Sequence, residues 1–316
     1  MDGQRQLFEI IRGQIGSYRL VDAVCSVLNI SDDAAYRRIR GDKELTYMEL
    51  KKLTQAFSVS LDKIMEVNEF YRAMPFQYHN QDYFALSDVD LNMSKNYVEA
   101  LKTVVKNPYS EFGFAYNTVL LHTRVLYEPI FRYYVLKWMY QYGGPDKAIP
   151  FSKIEVSSAL KEHHMQYIQL IKKIKYTYVI FQEYYLMNVV RDIQYFRDTR
   201  LLLDEDVALL KECIAESLHI MEKLIIDGAY DTGCKIDFYV SGLSLEASYT
   251  YLLSEKMYIS MVDAFSVGAI TSLDEEAGKM MIKWIQSLKR TSTLLTGSEK
   301  NRLRYMDEQW KILGKL

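Results

Sequence analysis

The sequence predicts a mainly α-helical, two-domain chain: a helix-turn-helix domain at residues 1–68, a linker over 69–90, and a larger helical domain at 91–316 with a small antiparallel sheet near 235–271. Three observations predict it. Only 14 Gly and 5 Pro interrupt 316 residues, as suits long helices with short connections. The first 66 residues are punctuated at close intervals, and the rest is not. A period of two, in place of 3.6, shows only between Lys235 and Thr271.

Taken in order, the first helix runs near Gln4–Gln14, with Leu7, Ile10 and Ile11 on one face, and Gly16 ends it. A second spans about Arg19–Leu28 through Leu20, Val21, Val24 and Leu28. Ser31 is read as the N-cap of a third, with Asp32 and Asp33 suiting the helix dipole and Gly41 ending it. Thr46 and Glu49 form a capping box for a fourth, which turns Leu50, Leu53 and Phe57 inward. The fifth follows Ser60 with Leu61, Ile64 and Met65. Beyond the linker, Ser94 is read as the cap of a helix to about Lys106, and an apolar-periodic region from Glu111 to Tyr142 is broken at Pro129. After the loop YGGPDKAIP come a helix or helix pair from Lys153 to Arg200 and another from Asp204, read as an N-cap, to Ile226. Ile236, Phe238 and Val240 alternate with polar residues, as do Met257, Ile259 and Met261, with LLSEKMY as the turn, so two to four antiparallel strands are expected. Helices near Asp274–Lys289 and Ser298–Leu313 close the chain.

Composition bounds the function classes. Hydrophobic residues at 49% and charged residues at 25% exclude a disordered scaffold. A net charge of −2 excludes coating of nucleic acid or membrane by bulk charge. Residues 1–70 carry ten Lys and Arg against eleven Asp and Glu, so any nucleic-acid contact must be local. The start MDGQRQLFEI has no basic and apolar leader pattern, no run of 18 apolar residues occurs, and three widely spaced cysteines suggest neither disulfides nor zinc. A soluble, cytoplasmic protein without a membrane partner is expected.

The second and third segments carry the functional signal. Two short helices joined by a tight turn make a helix-turn-helix, whose second helix can enter the DNA major groove. In SDDAAYRRIRG, Ala35 and Ile39 form the inward stripe. Opposite them stand Asp33, Arg37 and Arg40, with Ala34 and Tyr36 at the edges and Arg38 on the flank. Guanidinium groups bond guanine edges bidentately, which assigns Arg37 and Arg40 to bases. Tyr36, Arg38 and Lys43 are assigned to backbone phosphates, while Asp33 suits either a cytosine amine or the helix N-terminus. A homodimer on a pseudo-palindromic operator of double-stranded DNA is expected, because neutrality makes a second half-site important. The alternative is a protein-interaction adaptor whose helix-turn-helix domain binds protein.

Other chemistry is set aside. His163 and His164 are adjacent and point about 100° apart on a helix, so they do not make a metal pair. Cys213 and Cys234 read as packed thiols, and Asp204, Glu205 and Asp206 as a helix start. No phosphate-loop, dinucleotide or nucleophile-elbow motif occurs, so neither an enzyme nor a cofactor or metal is expected. Seventeen of the 26 tyrosines lie between Tyr71 and Tyr195. Among them Tyr133, Tyr134, Tyr140, Tyr176, Tyr178, Tyr184 and Tyr185, with Trp138, are read either as the lining of a small-molecule or peptide effector pocket or as a helical core and dimer surface.

The order of the five segments, with Gly41 after the third and VSLDKIM at the close, resembles the phage-repressor-like helix-turn-helix domain. SDDAAYRRIRGDKELTYMELKKLTQAFSVSLDKI is similar to uncharacterised bacterial putative transcriptional regulators built on that domain. YEPIFRYYVLKWMY, LDEDVALL, IDFYVSGLSLEASYTYLL and LKRTSTLLTGSEKNRLRYMDEQWKIL look like segments of the same regulators, although Arg304-Tyr305-Met306 stands where they tend to carry two adjacent aromatics. The resemblance implies a DNA-binding regulator and names no ligand.

Overall fold

The structure, a computed structural model, describes residues 3–16, 19–57, 59, 61–64, 76–79, 82–84, 88–255, 257–264 and 266–316. The chain divides into two units, Met1–Pro75 and Phe76–Leu316. Of the segment read as a linker, 69–75, 80, 81 and 85–87 lie outside the described residues, as do Ser60 and Met65 of the fifth segment.

In the first unit five helices follow the sequence spacing: α1 (Gly3–Ile15), α2 (Leu20–Leu28), α3 (Asp32–Arg40), α4 (Tyr47–Ala56) and α5 (Leu61–Ile64). Leu7, Phe8 and Ile11 of α1, Leu20, Val24 and Leu28 of α2, Ala35 of α3 and Leu53 of α4 are buried together. Asn29, left-handed at φ 56°, ends α2. Gly41 ends α3 at φ 85°, a conformation that costs glycine little. The capping box of α4 forms: Glu49 N–H donates to Thr46 Oγ1 at 3.3 Å and Thr46 N–H to Glu49 Oε2 at 3.0 Å. Ser31 holds the N-cap position of α3 without a capping bond from its side chain.

The second unit corrects the fold class. It is an α/β unit around an eight-stranded mixed sheet of order β1-β7-β6-β5-β2-β3-β4-β8, not a helical domain with a small sheet. Its strands are β1 (Gln77–His79), β2 (Glu111–Tyr116), β3 (Tyr176–Gln182), β4 (Lys235–Ser241), β5 (Tyr249–Ser254), β6 (Met257–Ala264), β7 (Gly268–Ser272) and β8 (Thr293–Leu294). The adjacent strands β2, β3 and β4 run parallel; β5 is antiparallel to β2, and β5, β6 and β7 form an antiparallel meander.

Of the strands absent from the sequence reading, β2 and β3 lie in the middle of the sheet. EFGFAY and YTYVIFQ are buried along almost their whole length. A parallel strand covered on both faces shows a continuous apolar run with no alternation, which cannot be told from buried helix by periodicity. Hence the segments read as helix over 111–142 and 153–200 each contain a strand.

The helices are α6 (Asp88–Val104), α7 (Leu121–Leu126), α8 (Glu128–Gly143), α9 (Ser158–Ile171), α10 (Tyr185–Asp198), α11 (Asp204–Asp227), α12 (Glu275–Thr291) and α13 (Glu299–Leu313). Pro129 lies in the first turn of α8, where its missing N–H costs nothing, so the apolar region splits before it. Two sequence-read caps move. Ser94 lies inside α6 and donates to Leu91 O, and α11 starts after Leu203, whose N–H donates to Asp206 Oδ2 at 2.9 Å.

One large core joins the sheet to the helices other than α12. The opposite core, of Ala115, Tyr178, Ile180, Leu245 and Tyr251, packs with Met281 and Ile285 of α12. Gly113 of β2 is needed there, because a Cβ would stand 2.7 Å from Tyr251 Cζ. Below α12 the tyrosines bond one another: Tyr178 OH to Tyr251 OH at 2.8 Å, with Tyr251 OH donating to Glu111. Lys289 Nζ donates to Tyr176 OH at 2.7 Å, and Tyr176 OH donates to Asp237 Oδ2 at 2.9 Å.

Candidate functional site

In the first unit α2 and α3 are joined by the three residues Asn29, Ile30 and Ser31. Ala35 is fully buried, and its small side chain permits close helix approach. Asp33, Tyr36, Arg37, Arg40 and Lys43 are exposed. The guanidinium of Arg40 sits 5.8 Å from the Tyr36 ring centroid and 3.7 Å from Asp42 Oδ2, an exposed pair of little strength. On the same unit Lys51 and Lys52 of α4 are exposed as well.

Arg38 does not belong with them. Assigned from the sequence to a phosphate, it is 5% exposed, with Nε and Nη2 donating to Glu49 Oε1 at 3.1 and 2.6 Å and Nη1 to Ala34 O at 2.9 Å. The Arg38 bond holds the Glu49 carboxyl below the usual carboxylate range, against its partial burial. Glu49 thus caps α4 with one oxygen and ties α3 to α4 with the other. Gln4 of α1 completes the frame, since Nε2 donates to Arg38 O and Lys43 O at 2.8 and 2.9 Å while Oε1 accepts from Leu45 N–H at 2.8 Å. The sequence signal for both roles was weak: an Arg on a flank and a Gln near the start of a helix.

In the second unit a polar cleft of about 360 Å³ opens at the carboxyl end of β2, where the chain leaves for α7 and β5 enters beside it. Crevices at the carboxyl ends of parallel strands are the usual ligand position in α/β sheets. Four of its charged side chains, Arg124 with Asp263 and Lys137 with Asp192, are paired. Arg124, almost fully buried, donates to Val119 O, Ser266 O and Asp263 Oδ2 at 2.7, 3.1 and 3.4 Å, and lies 4.2 Å from the Tyr134 ring centroid. Burial raises the Asp263 carboxyl pKa despite Arg124. Lys137 meets Asp192 at 2.5 Å.

The aromatic residues read as a pocket lining do not line one pocket. Tyr133, Tyr134, Trp138 and Tyr185 are core residues, Tyr176 and Tyr178 face α12, Tyr140 OH meets Tyr195 OH at 2.5 Å, and Tyr184 is exposed. His163 Nδ1 lies 2.6 Å from Ser94 Oγ. His164 packs edge-on to Phe131, and burial lowers its pKa to about 4. Cys213 is buried, which raises its thiol pKa, and Cys25 Sγ lies 3.4 Å from Asp32 Oδ1. Among the described residues no group of three His, Cys, Asp or Glu side chains is arranged to hold a metal ion, and no helix is long and apolar enough to cross a membrane. No protein-family model, curated protein or solved structure matches this chain.

Proposed function

We propose that the chain is a sequence-specific DNA-binding transcriptional regulator. It acts in the cytoplasm as a homodimer on a pseudo-palindromic operator, with α3 in the major groove and the second unit serving dimerisation or effector sensing. One observation carries the reading. Arg37, Arg40 and Tyr36 stand exposed on α3, while Ala35 and Arg38 of the same helix are buried against its neighbours, so a rigid helix presents guanidinium forks outward. Arg37 and Arg40 reach base edges, and Tyr36 and Lys43 meet phosphates. Asp33 stays at the helix N-terminus, where the dipole favours it.

A second reading, a protein-interaction adaptor, draws on the exposure of Tyr47 (73%) and Met48 (58%) at the start of α4. Binding to genomic fragments across salt concentrations separates the two. For the regulator, Arg37→Ala with Arg40→Ala flattens sequence preference, each bidentate pair being worth about 1–3 kcal/mol. Lys51→Ala weakens all fragments alike and reduces the salt slope by about one. Unchanged binding in both variants refutes it.

A further inference from the structure

An apolar cavity of about 110 Å³ lies in the second unit between α7, α9 and α11, floored by Val179 and Phe181 of β3 and Ile236 and Phe238 of β4. Leu126 and Ile220, 39% and 42% exposed, also line it and mark its mouth. Among the described residues nothing hydrogen-bonds His122 Nδ1 or the Tyr127 hydroxyl, although both atoms are buried. The His122 ring packs edge-on to Phe114 and Tyr167, with centroids 4.9 and 5.6 Å away. Buried polar atoms without partners are costly, so a wall that holds two such side chains beside an apolar space gains by yielding to an occupant that uncovers them and supplies the missing bonds.

We infer that this cavity is a binding site for a compact, uncharged single-ring aromatic molecule carrying a hydroxyl or amine. An engineered apolar cavity of about 150 Å³ holds benzene, so this space with its open mouth takes one ring and not two. A neutral imidazole offers one donor and one acceptor and Tyr127 a hydroxyl, which match a group that both donates and accepts. Desolvation keeps His122 neutral, lowering its pKa to about 3. Lys172, the one charged side chain among the described residues of the lining, is paired with Asp231 at 3.1 Å. The inference concerns the second unit alone and stands whether or not α3 binds DNA.

Phenol and toluene are the probes, titrated into the full chain and its His122→Phe variant by calorimetry. Histidine-selective imidazole NMR reports the five histidines. Toluene is the more apolar probe, so the readout is the change in the ratio of the two Kd values, which cancels their different hydration. The expected result is that phenol perturbs the His122 signals and that His122→Phe shifts the ratio against phenol about three- to tenfold, the weight of one neutral hydrogen bond. Tyr127→Phe shifts it in the same direction, which keeps the test open should His122→Phe fold poorly. A ratio unchanged within twofold in the folded variants, or no binding of phenol to the native chain at millimolar concentration, overturns the inference and leaves the cavity to water.

Discussion

Arg38→Ala separates framework from recognition on α3. The substitution removes one bond to Ala34 O and two to Glu49 Oε1, and strands a carboxylate whose side chain is 18% exposed. Breaking a buried pair on one side costs about 3–5 kcal/mol. Glu49 keeps its capping bond to Thr46 and some water, so the lower end, about 3 kcal/mol, applies. A unit of this size has about 4–11 kcal/mol in all, and the loss lowers its Tm by about 12–24 °C. Tryptophan fluorescence misses the change, because Trp138, Trp284 and Trp310 all belong to the second unit. Hydrogen exchange on the full chain resolves it: amides of α3 and α4 exchange roughly a hundredfold faster while those of β2 and β3 do not change. Arg37→Ala leaves exchange as it was. Exchange in α3 and α4 within threefold of native for Arg38→Ala refutes the assignment of Arg38 to the framework.

Three further perturbations test the second unit. Gly113→Ala places a methyl against a Tyr251 ring whose hydroxyl is held by Tyr178 and Glu111; overpacking of about 1–3 kcal/mol is expected, and denaturant unfolding followed by tryptophan fluorescence measures it. His122 and His164 titrate near 3 and 4 when folded and near 6.5 when unfolded. Between about pH 4 and pH 6.5 the unfolded chain therefore binds more protons, and this contribution to stability, complete above pH 6.5, is lost as pH falls through that window. Each histidine adds up to about 1.4 kcal/mol per pH unit, and His122→Phe removes one proton from the slope of unfolding free energy against pH. At pH 7 the same variant, with a partnerless polar group replaced by a ring among Phe112, Phe114 and Tyr167, raises the Tm of the ligand-free chain by about 2–4 °C in a thermal melt.

How much was legible varied with the kind of signal. The first unit's helices could be read because each is short, amphipathic and closed by local chemistry: Gly16, Asn29, Gly41, and the Thr46–Glu49 box. The antiparallel strands showed in the alternation at Met257–Met261, since side chains two apart share one face. β2 and β3 did not show, because strands covered on both faces replace alternation with apolar runs. Arg38 was misassigned for a related reason. Helical-wheel position marks its direction from α3 alone, while burial came from α4, through Glu49. Likewise the tyrosine excess marked a second unit rich in rings, but which rings meet a cavity depends on strand pairing that spacing does not encode. His122, the residue that bears the cavity's unmet polar chemistry, has no motif around it.

Selection of bound fragments from random double-stranded DNA, run in parallel with the native chain and the Arg37→Ala, Arg40→Ala double variant, tests the central claim most directly. The account predicts that the native chain enriches a pseudo-palindrome with half-sites about one helical turn apart, and that the double variant, still folded by hydrogen exchange, loses the consensus. Fragments without a common sequence, or the same consensus recovered by both proteins, would contradict it.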